Sequence, residues 1–279
     1  MSDLLARSSS HWSESGRAGM EAFYTLATDD YRHLAQAWDW QALFETLQTR
    51  AGDRPLRLLD VACGSGKFPN ALARHTELAN APIYPIETAL LDPSAFSIAE
   101  ARAALPEPFR PAAEFETPLQ DLTPPIDGYD VVWATHALYA IPAEELAAGL
   151  KQFVASIAPG GVGVIAHSAA AGHYVSFHRQ FLEAFGVRDA APYISAETIV
   201  ATLRQLGAAV DVEEVEYETA SNADDDSAVE GFLQRCVFDD GVTLAEMQAK
   251  EPLATYLAGC NQPQGWRFPQ CVWLITVTG

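Results

Sequence analysis

Leu56-Arg57-Leu58-Leu59-Asp60-Val61-Ala62-Cys63-Gly64-Ser65-Gly66 is the stretch that decides the fold. Its first six residues form a short run suited to a buried strand, and the run stops at a glycine turn opening a helical segment that reaches His75. Glycines at such a turn let the backbone bend tightly and let a ligand approach without meeting a β-carbon. Two phosphate-binding patterns fail on spacing. A nucleotide loop ending in Gly66-Lys67 needs glycine where the chain has Val61 and Ser or Thr where it has Phe68. A dinucleotide fingerprint needs a third glycine where the chain has Pro69.

Downstream of the turn, strands and helices alternate. Residues 88–91 read as a second strand that stops at Asp92-Pro93-Ser94, where Ser94 or Asp92 can cap an alanine-rich helix running to Leu105. Residues 112–115 and 129–134 read as strands three and four. A helix over 143–157 ends at Pro159-Gly160-Gly161, and a fifth strand covers 162–167. Strict alternation predicts an α/β, doubly wound (Rossmann-like) sheet of seven strands, mostly parallel, with helices on both faces. The last third departs from the rhythm. A helix over 195–206 precedes strands at 209–217 and 271–277, and between these lie an acidic turn (Asp224-Asp225-Asp226) and helices over 227–237 and 244–257. This predicts an antiparallel edge with a helical cap built into it.

Upstream, residues 1–17 are serine-rich and predict a loose arm that folds over a site. Apolar residues from Phe23 to Leu47 recur at helical spacing and predict two amphipathic helices broken near Thr28-Asp29-Asp30, with Thr28 or Asp29 capping the second. The expected organisation is a single domain over 1–279. It comprises the arm and cap helices (1–50), the core (51–215), the helical insertion (216–267) and a final strand (268–279).

Seventeen Lys plus Arg against 37 Asp plus Glu give a formal charge of −20, which repels nucleic-acid phosphates and anionic lipid. The chain has no uninterrupted apolar stretch of roughly 18 to 20 residues, so no membrane partner is expected and cytoplasm is the default location. Cys63, Cys236, Cys260 and Cys271 form no metal or disulfide pattern and read as reduced packing residues. His167, His173 and His178 have no accompanying carboxylate in a ligand pattern, so no metal is expected.

The combination Asp60-x-x-x-Gly64-x-Gly66, followed by Asp92 at the end of the second strand, resembles the first two motifs of class I S-adenosylmethionine-dependent methyltransferases. Tyr129-Asp130-Val131-Val132 with Thr135-His136, and Ile157-Ala158-Pro159-Gly160-Gly161, extend the likeness from Leu56 to Ser168. The resemblance implies S-adenosyl-L-methionine as cofactor, with Gly64, Ser65 and Gly66 under its methionine and ribose portions. It implies Asp92 accepting from the ribose hydroxyls and Glu116 and Thr117 against the adenine. Asp60, Pro93, Ser97 and Thr135 complete the implied cofactor set.

Beyond that core the sequence is similar to histamine N-methyltransferase and related small-amine methyltransferases. Ala22-Phe23, Thr28-Asp29, Ala137-Leu138-Tyr139, Tyr193-Ile194-Ser195 and Phe268-Pro269-Gln270 carry the likeness. It implies that Asp29, His136 and Gln270 touch a small-molecule amine substrate. Each differs in size or type from the family's residue, so histamine itself is not implied. Phe23, Tyr24, Tyr31, Tyr139, Tyr174 and Trp266 could box a flat or cationic substrate, and Tyr24 and Tyr139 are the expected pocket residues. If the nucleophile must lose a proton, His136 is the candidate base, alongside Asp29 as a catalytic acidic group. The other reading of His136 is a hydrogen-bonded pocket histidine that transfers no proton. N-methylation of an amine or nitrogen heterocycle is the leading expectation. An O-, S- or C-methyltransferase using His136 as base, or a cofactor-binding protein without transfer, are the alternatives. Oligomeric state is not legible.

Overall fold

The structure, a computed structural model, describes residues 3–187, 191–222 and 225–278. Asp224 of the expected acidic turn lies outside the described residues. The chain opens with α1 (Asp3–His11), a single 3-10 turn (Glu14–Gly16), α2 (Arg17–Ala37) and α3 (Trp40–Ala51). β1 (Arg57–Val61), α4 (Lys67–His75), β2 (Ile86–Leu91), α5 (Ala95–Ala104), β3 (Phe109–Phe115), β4 (Tyr129–Thr135), α6 (Ala143–Ala155) and β5 (Ile157–Ser168) follow. Then come α7 (His173–Ala184), α8 (Ala196–Gln205), β6 (Ala209–Ser221), α9 (Asp226–Val237), α10 (Leu244–Gln248), α11 (Leu253–Cys260), β7 (Asn261–Gln262) and β8 (Gly265–Thr278).

The strands form one sheet in the order β3-β2-β1-β4-β5-β8-β6, with the two-residue β7 paired to β8 as an eighth strand. Pairings from β3 to β5 are parallel, and β8 runs antiparallel to both its neighbours, β5 and β6. The antiparallel strand is thus second from the edge, and β6 closes the sheet. Strand order reverses at β1, which has β2 on one side and β4 on the other. The crevice beyond the carboxyl ends of these strands is where open α/β sheets bind ligands. Register makes the rim of that crevice: Val61 lies opposite both Leu91 and Ala134, so Ala62, Asp92 and Thr135 follow side by side.

Each face of the sheet carries its own apolar core. One packs Val132, Ile165 and Ile275 against Leu146, Leu150 and Phe153 of α6 and Ile199 and Leu203 of α8. The other packs Leu58, Trp133 and Val164 against α3 and α4 through Trp40, Phe44, Phe68 and Leu72, with Trp133 at the centre of edge-to-face aromatic contacts. A third core joins Leu26 and Ala27 of α2 to the cap through Tyr174, Phe177, Phe232, Met247, Leu257 and Phe268.

Several local expectations are corrected. α2 does not break at Thr28-Asp29-Asp30. Thr28 Oγ1 donates to the Tyr24 carbonyl and Asp29 pairs with Arg32 one turn on, so both polar side chains are satisfied inside the helix. The break comes at Trp38, and Asp39 caps α3 by accepting from the Ala42 N–H at 3.0 Å. The arm is a docked helix and turn rather than a loose segment. α6 stops at Ala155, and Pro159-Gly160-Gly161 lies within β5. The 244–257 helix is two helices, and α7 was not foreseen.

β6 and β8 are long, and their ladder runs from Ala209↔Thr278 to Ser221↔Trp266. β5 stops pairing at Ser168↔Val272, so residues of β8 before Val272 overhang the carboxyl edge of the parallel strands. This overhang brings Thr219 and Gln270 to the same side as the crevice. Among the described residues no helix is long and apolar enough to cross a membrane.

Candidate functional site

A cavity occupies the crevice. Its floor is Asp60, Val61, Ala62, Cys63 and Gly64 at the end of β1, and Asp92, Pro93 and Ser94 flank the floor after β2. The turn is built from positive φ: 51° at Ala62, 50° at Gly64 and 68° at Gly66. Ala62 is the only non-glycine of the three, and an L-residue held there marks a backbone constrained by its surroundings. Gly66 has a packing reason as well, because a β-carbon there would stand 3.2 Å from the Ala101 Cα.

The Asp92 carboxylate is oriented by two backbone donors, Gly64 N–H on Oδ2 at 3.2 Å and Ser94 N–H on Oδ1 at 2.9 Å. Each oxygen keeps acceptor capacity for a ligand. Burial pushes its pKa up to about 6 despite these donors. Asp60, buried beside it, is likewise pushed up to about 7 by desolvation. Two cationic groups also reach the wall. Lys67 lies over the Tyr24 ring at 4.5 Å, and Arg235 of α9 is almost wholly buried. Arg235 donates to the His11 carbonyl at 2.6 Å and the Gly16 carbonyl at 3.0 Å, which fastens the N-terminal arm over the cavity. The Trp12 carbonyl then accepts from the Ser94 hydroxyl at 3.0 Å and the Ser97 hydroxyl at 3.3 Å.

The opposite end is aromatic. Phe23, Tyr31, Tyr139, Tyr174 and Tyr193 line it together with His136 and Asp30, while Tyr24 stands over the floor beside Gly64 and Lys67. Asp30 is 1% exposed, and it accepts from the Thr219 hydroxyl at 2.8 Å and from the Tyr174 hydroxyl. Gln270 donates to the same Thr219 oxygen at 3.0 Å. No Lys or Arg among the described residues pairs with Asp30, and burial pushes its pKa up to about 7. His136 stands at φ 51° just past β4, where its N–H still bonds the Ala166 carbonyl at 2.9 Å. Its Nδ1 meets the Tyr139 hydroxyl at 2.7 Å, and its buried Nε2 has no partner. Burial lowers the imidazole pKa to about 3, so it is neutral across ordinary pH.

Among the expected site residues, the cavity brings together Asp60, Gly64, Asp92, Pro93, Thr135, Tyr24, His136 and Tyr139. Ser65 faces a neighbouring hollow, Gly66 packs on α5, and Ser97 is occupied by the arm. Glu116 is exposed and Thr117 is half-buried, and neither lines the cavity. The wall there is made by Pro118, Leu119 and Gln120, because the chain turns inward only after Thr117. Gln270 is buried and does not line the cavity, to which it is linked through Thr219 and then Asp30. Trp266 is in the third core rather than the aromatic box.

Asp29 is corrected outright. It lies on the outer face of α2, paired with Arg32 at 2.6 Å and beside His33, with its pKa held down by Arg32. Asp30 is the carboxylate that faces inward. A continuous helix puts Phe23, Ala27, Asp30 and Leu34 on one face, and that spacing is the signal that could have found it. The three histidines have separate partners: His167 bonds the Ile194 carbonyl, His173 the Tyr256 hydroxyl and His178 the Tyr193 N–H.

The profile of the family described as "Methyltransferase domain" matches residues 31–212, well over half of the chain. No curated protein matches. Among solved structures, the magnesium protoporphyrin IX methyltransferase of Synechocystis PCC 6803, crystallised with bound S-adenosylhomocysteine, is 13% identical. The match covers 97% of each chain with a TM-score of 0.54. The YcgJ protein of Bacillus subtilis is 14% identical over 85% of this chain and 97% of its own, with a TM-score of 0.52. At such identities these neighbours speak for the fold alone.

Proposed function

The chain belongs to the methyltransferase-domain family, and on that premise we propose that it moves a methyl group from S-adenosyl-L-methionine to a nitrogen of a small amine or nitrogen heterocycle. The cofactor half of this reading is supported by the fit of the floor. The two Asp92 oxygens suit a ribose diol, the apolar wall of Leu91, Pro118 and Leu119 suits a purine, and Lys67 and Arg235 suit the carboxylate of an amino acid. When bound, the cofactor supplies a methyl group on a positively charged sulfur.

The observation that carries the substrate half is Asp30, a buried carboxylate without a cation, facing the same cavity as Asp92. A buried charge left unpaired is costly, and a ligand that brings the missing positive charge relieves the cost. As the nitrogen accepts the methyl group it becomes positive, and Asp30 meets that charge while the aromatic faces around it add cation–π attraction. An amine that enters as its ammonium has no lone pair, so Asp30, with its pKa pushed up to about 7, takes that proton before transfer and passes it to water, which leaves the carboxylate charged to face the methylated cation. The rest of the contribution is alignment and exclusion of water beneath the arm, with donor and acceptor brought to about 3 to 3.5 Å. The small-amine likeness in the sequence points the same way, with Asp30 in the role first expected of Asp29.

The test is methyl transfer from labelled S-adenosylmethionine to panels of amines, imidazoles, phenols and thiols, with Asp30→Asn beside the wild type. Transfer to amines or imidazoles that collapses in the variant supports the reading. Transfer to phenols or thiols with amines ignored contradicts it, and would make Asp30 the base of an O- or S-methyltransferase.

A further inference from the structure

We infer that the N-terminal arm is a strap hinged on the cap and latched over the cofactor end of the cavity, and that unlatching there admits S-adenosylmethionine and releases S-adenosylhomocysteine. This rests on the cofactor half of the reading above and deepens it. The arm crosses the cavity with Ser8 and Trp12 in its wall, and its fastenings fall into two unequal sets. On the cap side the donors are charged. The Arg7 guanidinium donates to the Phe238 carbonyl at 2.8 and 3.1 Å and pairs with Asp239 at 3.5 Å, and the buried Arg235 holds the His11 and Gly16 carbonyls. On the floor side the donors are two neutral hydroxyls, those of Ser94 and Ser97, and both fall on the Trp12 carbonyl. Hydrogen bonds from an ionised donor are roughly twice as strong as neutral ones, so the arm stays with the cap and parts from α5.

Trp12 is where the two sets meet. Its ring goes with the cap side: the Arg235 guanidinium lies 5.4 Å from the ring centre, and Phe23 and Tyr24 of α2 stand 5.8 and 5.9 Å away. Its carbonyl alone is held by α5. Ser94 joins this latch to the floor. Its N–H aims Asp92 Oδ1, and its hydroxyl accepts from the Ser97 N–H as the cap of α5 while donating its one proton to Trp12. The residue that orients the carboxylate for a ribose is thus also one that closes the roof beside it. A ligand seated on Asp92 lies two residues from the latch, and it passes Trp12 only when the two hydroxyls let go. Gating of this kind sets how fast a ligand enters and leaves without adding to its affinity. Neither Arg7 nor Ser97 lines the cavity, so a change at either acts through the arm.

The test is rapid-mixing fluorescence of S-adenosylhomocysteine binding, and of its displacement by excess S-adenosylmethionine, in the wild type, Ser97→Ala and Arg7→Gln. Loss of one neutral hydrogen bond from the latch destabilises the closed arm equally with and without ligand. Ser97→Ala therefore speeds association and dissociation alike, each by about fivefold, with Kd within about twofold of wild type. Arg7 keeps its partners whether the latch is open or closed, so Arg7→Gln leaves both rates within about twofold. Faster dissociation alone, with Kd weakened to match, would make the arm a static roof and overturn the proposal, as would unchanged rates in Ser97→Ala. Acceleration by Arg7→Gln would put the opening at the cap and overturn the hinge. A second readout needs no ligand. The thiol introduced by Ser97→Cys lies beneath the Trp12 carbonyl, and its alkylation by iodoacetamide, followed by mass spectrometry, proceeds at a rate that adding Arg7→Gln does not alter. If the wild type does not bind S-adenosylhomocysteine, the cofactor reading has failed, and this alkylation decides for the strap alone: a thiol that never reacts, or one that reacts severalfold faster with Arg7→Gln, overturns it.

Discussion

The two ends of the cavity are made in different ways. The floor under Asp92 is local: a strand end, a turn at positive φ and a neighbouring strand end put Gly64 and Asp92 together, and backbone N–H groups aim the carboxylate. The far end is assembled from side chains of α2, the loop after β4, α7 and the β6–β8 overhang, with Asp30, Tyr174, Thr219 and Gln270 joined in one chain of hydrogen bonds. A site made of backbone depends on a few glycines and one acid and can be transferred between proteins. A site made of distant side chains can change chemistry by changing any one of them. That division suits an enzyme family with a common donor and varied acceptors.

Breaking the far end while sparing the floor is the sharpest test of this contrast. Asp30→Asn keeps the shape but removes the charge, and kcat/KM for the amine falls by about 1000-fold, or roughly 4 kcal/mol, with cofactor affinity unchanged in calorimetry. An equal loss of cofactor binding would show that the two ends are not separable.

The pH profile reads the same carboxylate. With Asp30 pushed up to about 7, kcat/KM drops close to tenfold per pH unit below that point as the group is protonated, and the Asn variant lacks this limb. A wild-type profile flat down to pH 5 would contradict the assignment.

Stability should move oppositely to activity. Asp30 titrates near 3.8 when unfolded and near 7 when folded, so between those values the native state holds a proton that the unfolded chain has lost. Stability therefore falls as pH rises from about 4 to 7, and above 7 the ligand-free protein carries the full cost of a buried charge. At pH 8 the Asn variant melts higher than wild type by on the order of 5 °C, and a lower melting temperature would refute the unpaired charge.

The smallest effect belongs to Asp29. Its pair with Arg32 is solvent-exposed, so Asp29→Asn should change turnover less than about twofold. A larger loss would return the catalytic role to the outer face of α2.

What was legible in the sequence follows the same line. Strand–turn–helix alternation and the acidic residue after the second strand are consecutive features, and they foretold the sheet and the placing of Gly64 and Asp92 just past the ends of β1 and β2, where the cavity lies. His136 and Tyr139 were legible because they follow β4 directly. Asp30 was missed by one residue, because a Thr-Asp-Asp triplet looks like a helix break when read locally. Only the continuous packing of α2 against the sheet and the cap holds that triplet in a helix and turns Asp30 inward. The arm's order was illegible because it depends on Arg235, more than 200 residues away, bonding carbonyls that have no sequence signature.

The most direct measurement is calorimetric titration of the purified protein with S-adenosylmethionine beside the Asp92→Ala variant. Loss of the carboxylate removes two charge-assisted hydrogen bonds, so saturable binding that weakens by about 100-fold, or roughly 3 kcal/mol, is the predicted result. Absence of binding by the wild-type protein, or undiminished binding by the variant, would contradict the cofactor site on which the whole account rests.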